Sequence, residues 1–338
     1  MILAALGLYF ASGGGWAALL QSLGMVAALG LALLVDRLLG EPANRWHPVA
    51  WMGRYLGWAG RWLVAPQDAA PTQADVPRFL AGALAWWGGA VVVFLLALLL
   101  QWLVAQAPWW LAVLLTGLLL KPLLAWRMLR DEVVAVEAAL AESVEAGRAR
   151  LAMLVSRDVA QLDAEGVRES AIESLAENFN DSVVAPVFWF VLLGLPGAAL
   201  YRFANTADAM WGYPGMRGGR YWQWAGKWAA RADDVLSWLP ARITALLLAL
   251  TVRGLPLRTL ARQARKTPSP NSGWPMAAMS MALGVRLAKP GVYVLNGKGR
   301  DAGPLDTRRA QKLVSLVVMV LVPLAAVAHF LVALATGA

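Results

Sequence analysis

The sequence predicts an all-α, polytopic integral membrane protein, and its composition carries that prediction. Apolar residues make up 59% of the 338 residues, and charged residues only 15%, where soluble domains have about a quarter. The chain has no cysteine and two histidines, which excludes disulfide scaffolds and argues against cysteine–histidine zinc chemistry. A soluble enzyme and a disordered chain are both poor matches to this balance.

Uncharged runs predict four confident transmembrane helices. Residues 79–120 are long enough for two spans folded at 105–108, because one span needs about 20 apolar residues. A third span is predicted at 17–35, without the basic start and cleavage site of a signal peptide, so we expect it to be retained. The fourth is predicted at 313–335.

Two further apolar segments predict either re-entrant half-helices or additional spans. Segment 183–201 is interrupted by Gly194-Leu-Pro-Gly, and segment 235–252 carries Pro240 and Arg242. The five cations of 202–232 favour the re-entrant geometry, which requires that the backbone be covered by protein or line a cavity.

The distribution of lysine and arginine predicts the orientation of the protein in the membrane. We expect residues 1–338 to form a single membrane-embedded catalytic unit, within which this distribution marks two segments. Loop 36–78 and segments 121–181 and 253–312 hold most cations, so we expect them on the cytoplasmic side of the cell inner membrane. Within this unit, 127–182 forms an acidic helical lobe and 253–312 a basic segment. Opposite charges on one face suit a polyanionic substrate with a divalent metal, although charge alone favours a purely topological role.

The acidic lobe has a helical pattern. Helical spacing predicts a helix at 131–146 that Gly147 stops, and a second helix from near Ala149. A third is predicted at 163–177 with Asp163 as its N-cap. No alternating strand pattern is visible, and 63–78 is predicted to be a polar loop.

Four carboxylates follow the third helix at four-residue spacing: Glu169, Glu173, Glu177 and Asp181. Like charges so placed destabilise a helix by about 0.2–0.5 kcal/mol each, and the stripe itself contains no cation. Bound Mg²⁺ would relieve the repulsion, since hard cations take carboxylate and amide oxygens. We favour this metal site, with Asn178 beside it, over a solvated acidic helix face.

Two polar clusters border the doubtful apolar segments. Asn205 and Asp208 follow the first, and Asp234 precedes the second, where Arg242 lies eight residues later. Polar groups at membrane edges are costly unless paired, so they indicate function, with a structural Asp234–Arg242 ion pair as an equal alternative.

The segment Thr-Pro-Ser-Pro-Asn-Ser-Gly-Trp-Pro at 267–275 predicts a stiff loop whose free N–H groups cradle an anion, with a helix from Ala277. It contains Ser269, Asn271 and Trp274. It is not a Walker loop, and composition alone favours a plain connection.

Together these blocks resemble the adenosylcobinamide-phosphate synthase family, integral-membrane amide ligases of cobalamin biosynthesis. The matching motifs include Asp-Arg-Leu-Leu-Gly-Glu-Pro at 36–42, Ser-Arg-Asp at 156–158, Glu-Ser-Leu-Ala-Glu-Asn at 173–178, Asn-Thr-Ala-Asp at 205–208 and Pro-Ser-Pro-Asn-Ser-Gly-Trp-Pro at 268–275. The chain departs from the family pattern at 213–228 and 292–298. These departures leave open which variant of the substrate is used and which partner contacts are made.

The resemblance implies ATP-dependent condensation of adenosylcobyric acid with (R)-1-amino-2-propanol O-phosphate. It assigns Glu173, Glu177 and Asp181 to Mg²⁺–ATP, and Asn178 to a phosphate. Asp208 or Asp234 becomes the base for the amine, with Asn205 beside them. Candidates for binding the aminopropanol phosphate are Arg242, Ser269, Asn271 and Trp274. His47 is expected to be structural.

The expected partners are the corrinoid, the aminopropanol phosphate and the lipid bilayer, with other cobalamin-assembly proteins or a second copy of the chain as further candidates. No nucleic acid partner is expected. The alternative function is a non-catalytic membrane sensor of the related β-lactamase-induction type. Retention of the 268–275 motif and the acidic stripe favours the enzyme. A transporter would need paired half-sequences, which are not visible.

Overall fold

The computed structural model describes residues 14–64, 73–155 and 157–336, and these are almost entirely helical. The all-α polytopic class predicted from composition is confirmed. In chain order the helices are α1 (Gly14–Leu39), α2 (Pro48–Leu63), α3 (Val76–Ala105), α4 (Trp109–Leu120), α5 (Trp126–Glu142), α6 (Val144–Leu151), α7 (Ala164–Phe179), α8 (Ala185–Trp211), α9 (Lys227–Thr251), α10 (Leu257–Ala264), α11 (Gly273–Leu283) and α12 (Pro304–Thr336). Two short hairpins pair β1 (Met216–Arg217) with β2 (Arg220–Tyr221), and β3 (Leu287–Lys289) with β4 (Tyr293–Leu295).

Six helical stretches in the described part of the chain are long and apolar enough to cross a membrane. They are Ala18–Leu39, Val76–Ala105, Trp109–Glu142, Ala164–Trp211, Lys227–Thr251 and Pro304–Ala335. The four spans predicted with confidence fall in α1, α3, α4 and α12, and the predicted fold at 105–108 separates α3 from α4.

The two doubtful segments also lie in long helices. The predicted interruption of the first is a kink in α8 at Gly194, whose φ of 69° and ψ of −154° are open mainly to glycine. The second continues through Pro240 as part of α9. Length allows both to cross, so the choice between re-entrant and complete spans stays a prediction.

The chain divides into two compact units, of which the first comprises Met1–Leu124, Ala185–Leu236 and Leu324–Ala338. Within it α1 packs against α4, and α8 packs against α2 and α3. The α3–α8 contact is close because Gly89 has no side chain. A Cβ atom there would lie 2.4 Å from the ring of Phe203 and 2.5 Å from that of Tyr55.

The second unit comprises Ala125–Val184 and Ser237–Pro323 and contains the acidic lobe. Helices α5, α6 and α7 pack around one buried apolar cluster, and α7 also contacts α11 and β3. The cluster consists of Val136, Leu140, Leu151, Val167 and Ala171. The unit therefore positions α7 from several sides.

Some predicted boundaries were wrong. The first helix of the lobe ends before Ser143, an extended residue whose hydroxyl accepts the Ala146 N–H and so begins α6. Gly147 lies inside α6, where a Cβ atom would be 2.4 Å from the Leu140 side chain, so it permits close packing and stops no helix. The hairpins were missed because strands of two or three residues show no alternation. The polar loop predicted at 63–78 falls mainly on 65–72, outside the described residues.

Candidate active site

The predicted acidic helix forms as α7, and its N-terminus is capped as predicted. The Asp163 carboxylate accepts a hydrogen bond from the Gly166 N–H at 2.8 Å. Three glutamates of the stripe lie on α7, whereas Asp181 belongs to a π-helical turn, Asn180–Val184. Asp181 nevertheless stays close to Glu177, since its carboxylate acts on that of Glu177.

Glu169 and Glu173 are buried, with exposures of 2% and 1%. The Arg286 guanidinium lies 3.2 Å from Glu169, which also accepts the Ala288 N–H at 2.8 Å. Arg157 donates a short hydrogen bond to Glu173. A solvated acidic face is therefore wrong for these two residues. The cations that relieve their repulsion come from distant parts of the sequence.

Glu177 differs from Glu169 and Glu173 in its contacts. It is partly exposed, and among the described residues its carboxylate accepts no hydrogen bond and joins no ion pair. The charges that act on it are the carboxylates of Asp181 and Glu173 and the cations of Arg157 and Lys289. Both of its oxygens are thus available to a ligand.

The amides near Glu177 make local bonds. Asn178 donates to the backbone oxygen of Ser174 at 2.9 Å and to its hydroxyl at 3.1 Å, so both amide hydrogens are engaged. Asn180 donates to Asp181 at 2.8 Å and accepts the Thr244 hydroxyl at 2.9 Å. These bonds fix the π turn and with it the position of Asp181.

The predicted three-carboxylate metal set of Glu173, Glu177 and Asp181 does not assemble. Within the described ranges no three acidic or histidine residues are grouped so that they could hold a metal ion. The reason is that Glu173 is turned to Arg157. Mg²⁺ commonly takes only one or two carboxylates and completes its shell with phosphate oxygens and water. Glu177 and Asp181 fit that smaller requirement.

The hairpin β3–β4 brings further residues to α7 that the sequence analysis did not assign. β3 packs on α7, and Lys289 faces Tyr293 across the hairpin. Burial raises the pKa of the Tyr293 hydroxyl, and the nearby carboxylate of Glu173 raises it further. No sequence signal marked these residues, since the hairpin is short and distant from α7 in sequence.

The loop that joins α10 to α11 borders a cavity of 660 Å³. Ser269 accepts the N–H groups of Asn271 and Ser272 at 3.1 and 3.2 Å, so these amides are not free to cradle an anion as predicted. The helix begins at Gly273, earlier than the predicted Ala277. The cavity wall therefore presents side chains in place of a row of amides.

Arg242 lines this cavity together with Arg265. Its guanidinium lies over the rings of Trp238 and Trp274, at 4.3 and 4.9 Å from their centroids. It donates to Asn271 at 2.8 Å and to the carbonyl oxygens of Trp238 and Pro270. Its partners within the described residues are thus neutral groups, so its positive charge is not balanced by a carboxylate. The predicted grouping of Arg242, Asn271, Ser269 and Trp274 is observed.

The second predicted polar cluster lies in the first unit. Asn205 accepts from Arg202 at 3.4 Å and donates to Asp233 at 3.4 Å. Asp208 and Asp234, the two candidate bases, are partly buried. The contact shown here is therefore between Asn205 and Asp233, and the roles of Asp208 and Asp234 stay predictions.

The 36–42 motif belongs to a charged network within the same unit. Lys121 is buried and lies 3.4 Å from Asp36 and 3.2 Å from Glu41. His47 contacts Glu41 at 2.9 Å, and its other ring nitrogen accepts the Val49 N–H at the start of α2. The expected structural role of His47 is consistent with these bonds, which occupy both ring nitrogens.

The fold and the site together define a multi-helical membrane protein with a partly buried carboxylate site and a cationic cavity. The chain belongs to the family whose model is described as CobD/Cbib protein and matches residues 29–334. The resemblance drawn from the motifs is thereby confirmed.

Three relatives illustrate the similarity. A probable cobalamin biosynthesis protein CobD of Methanothermobacter thermautotrophicus is 41% identical over 324 residues, covering 91% of this chain and 98% of the relative. One of Pyrococcus abyssi is 43% identical, covering 86% and 91%. The cobalamin biosynthesis protein CobD of Rhodobacter capsulatus is 40% identical, also covering 86% and 91%. No solved structure matches the chain.

Proposed function

We propose that the protein is an ATP-dependent amide ligase that condenses adenosylcobyric acid with (R)-1-amino-2-propanol O-phosphate to give adenosylcobinamide phosphate. Family membership and the names of the relatives support a role in cobalamin biosynthesis. The observation that carries the chemistry is Glu177, a carboxylate with no bonded partner among the described residues, beside cations that can hold phosphate.

A carboxylate is a poor electrophile, so the reaction needs activation. A corrin propionate oxygen attacks the γ-phosphorus of ATP, and the bond from that phosphorus to ADP breaks. The amine nitrogen then attacks the acyl carbon, the C–N bond forms, and inorganic phosphate leaves. The ammonium must first lose a proton, which a nearby carboxylate accepts.

On the nucleotide side, Glu177 and Asp181 would hold Mg²⁺, which neutralises phosphate charge when bound. Glu173 orients Arg157 through their ion pair. Arg157 keeps one buried nitrogen, Nη1, without a hydrogen-bond partner in the described part of the chain, and this donor is suited to a phosphate oxygen. Asn178 remains a candidate only if it exchanges its bonds to Ser174 for a phosphate.

On the acceptor side, the phosphate of aminopropanol phosphate matches the cationic cavity of the second unit. This phosphate suits the cavity of Arg242, whose Nε–H makes no hydrogen bond to the described residues, with Ser269, Asn271 and Trp274 around it. The ammonium group must give its proton to a carboxylate, and for this role the motif resemblance implies Asp208 or Asp234, with Asn205 beside them. Asp208 or Asp234 is the proposed base.

An assay of purified protein tests the proposal. Adenosylcobyric acid, aminopropanol phosphate and Mg²⁺–ATP should yield adenosylcobinamide phosphate with one ADP and one phosphate per amide. Omission of either ATP or the amine should abolish product. Absence of both amide and ADP with folded protein would refute the ligase and favour the non-catalytic sensor.

We also propose that the active site faces the cytoplasm of a cell inner membrane. The cations of 202–232 support a cytoplasmic position for that segment. In intact cells, Met216→Cys should then resist an impermeant thiol reagent, as should Lys298→Cys, while Gln106→Cys should react. The absence of native cysteine makes these probes specific. Labelling of Met216→Cys from outside would favour six complete spans.

A further inference from the structure

A hydrogen bond fixes the hairpin β3–β4 against α7, and the turn of the hairpin holds the donor of that bond in position. The N–H of Ala288 donates to the buried carboxylate of Glu169 at 2.8 Å. Pro290 and Gly291 form the turn, in which Gly291 has a φ of 72° and the Val292 N–H donates to the Lys289 carbonyl at 2.9 Å. Proline followed by glycine with positive φ suits a tight turn of type II. The backbone at Lys289 is thus held at a defined position beside α7.

The side chain of Lys289 has no partner that would account for this position. It is partly buried, and within the described residues its ammonium forms neither a hydrogen bond nor an ion pair. It acts electrostatically on Glu177, as does Arg157. Tyr293, directly across the hairpin, lies close enough to Glu173 for that carboxylate to affect its hydroxyl.

Two buried polar atoms of the Arg157–Glu173 pair also lack hydrogen-bond partners among the described residues. These are Oε1 of Glu173, which is 1% exposed, and Nη1 of Arg157. The Tyr293 hydroxyl lies near Glu173, so the donor of Arg157 is the atom that a phosphate oxygen of a ligand can pair.

We propose that Lys289 binds the polyphosphate of the nucleotide, opposite the carboxylates that hold the metal. This inference rests on the proposed function and adds to it the hairpin as a part of the nucleotide site. A metal-bound polyphosphate needs carboxylates on one side and cations on the other, and Glu177 and Lys289 supply these within one unit. Lysine is suited to phosphate as a compact charge with three donors.

The test is the binding of radiolabelled Mg²⁺–ATP to the purified full chain without corrinoid, so that turnover does not contribute. Lys289→Gln should weaken binding about tenfold, the loss of one charge-assisted hydrogen bond, and Lys289→Arg should restore most of it. Lys298→Gln, which removes the same charge from an exposed residue, should bind as wild type.

The outcomes separate the two proposals. If the wild type binds Mg²⁺–ATP and Lys289→Gln binds equally well, the role of Lys289 is refuted and the ligase proposal stands. Equal weakening in Lys289→Gln and Lys298→Gln also refutes a local role. If the wild type binds no nucleotide, the ATP-dependent ligase itself fails. Should Lys289→Gln prove misfolded in a thermal unfolding assay, weak binding by folded Lys289→Arg would overturn the proposal, and near-normal binding would support it.

Discussion

Replacing Glu177 by glutamine should abolish turnover and leave the protein folded. The substitution preserves side-chain size, and the carboxylate has no bonded partner among the described residues to lose. We therefore expect the free energy of unfolding to change by no more than about 0.5 kcal/mol. Removing one charge from a series of like charges favours a small gain, about 0.2–0.5 kcal/mol for each relieved pair. Glu173 gives the opposite case, because its loss would leave Arg157 unpaired.

The effect on function should be large because Glu177 is one of two proposed metal ligands. Loss of a single ligand is expected to weaken Mg²⁺-dependent ATP binding by about tenfold or more, which corresponds to about 1.4 kcal/mol. The measurement is a titration of ATP binding and amide formation against Mg²⁺ concentration, with thermal unfolding recorded in parallel. Residual activity should require more Mg²⁺ than the wild type.

The matched control is Glu165→Gln, which removes an exposed carboxylate from the first turn of the same helix. It should leave Mg²⁺ dependence unchanged. From sequence alone Glu169→Gln would be the natural control with near-normal behaviour, but Glu169 is buried and binds Arg286 and the hairpin backbone. Normal activity and Mg²⁺ dependence in Glu177→Gln would refute the metal site. So would equal losses in Glu177→Gln and Glu165→Gln.

Three further predictions concern stability, each measured by thermal unfolding in detergent. Arg157→Met should destabilise the protein by about 3–5 kcal/mol, because it leaves Glu173 buried and unpaired. The double variant with Glu173→Met should recover much of this loss, whereas additive losses would contradict the pairing. Gly82→Ala should cost about 1–3 kcal/mol, since its Cβ would lie 2.0 Å from a backbone oxygen, whereas Gly88→Ala, with 3.6 Å, should be neutral or stabilising. Burial raises the pKa of Glu41, but its histidine and lysine partners outweigh burial and hold it below the ordinary value. The contribution of Glu41 to the free energy of unfolding should be complete above about pH 4.3 and disappear as pH falls through its lowered pKa. Glu41→Gln should therefore flatten the acid side of the plot of stability against pH. An unchanged plot would contradict this.

Features that depend on neighbouring residues in sequence could be predicted. Uncharged runs identified the confident spans, and the interruption at Gly194 appears as a kink. The N-cap at Asp163 followed from a short polar side chain before an amphipathic run. These signals succeed because span length, backbone strain and capping are set within a few residues.

The environment of the acidic stripe could not be predicted, because it is set by residues far away in sequence. Arg286 lies 117 positions after Glu169, and the pair is recognisable only once β3 is packed on α7. Repulsion along the stripe indicated a bound metal ion, yet arginines neutralise two of its members. The four-residue spacing predicted the helix that forms as α7. It could not distinguish Glu173, which an arginine engages, from Glu177, which remains available.

This distinction separates two kinds of motif within the family pattern. In the 36–42 motif the acidic groups pair with a cation inside the protein, since Asp36 and Glu41 both contact Lys121. Such a network holds helix ends together and needs no ligand. Around α7 the balance is incomplete, because Glu177 and Lys289 lack bonded partners within the described residues. Because partly buried charges are costly without partners, a ligand of opposite charge gains free energy by pairing with them. A charged substrate with its metal ion supplies both signs at once, which is why the ligand argued from these residues is a metal-bound polyphosphate and not a neutral molecule.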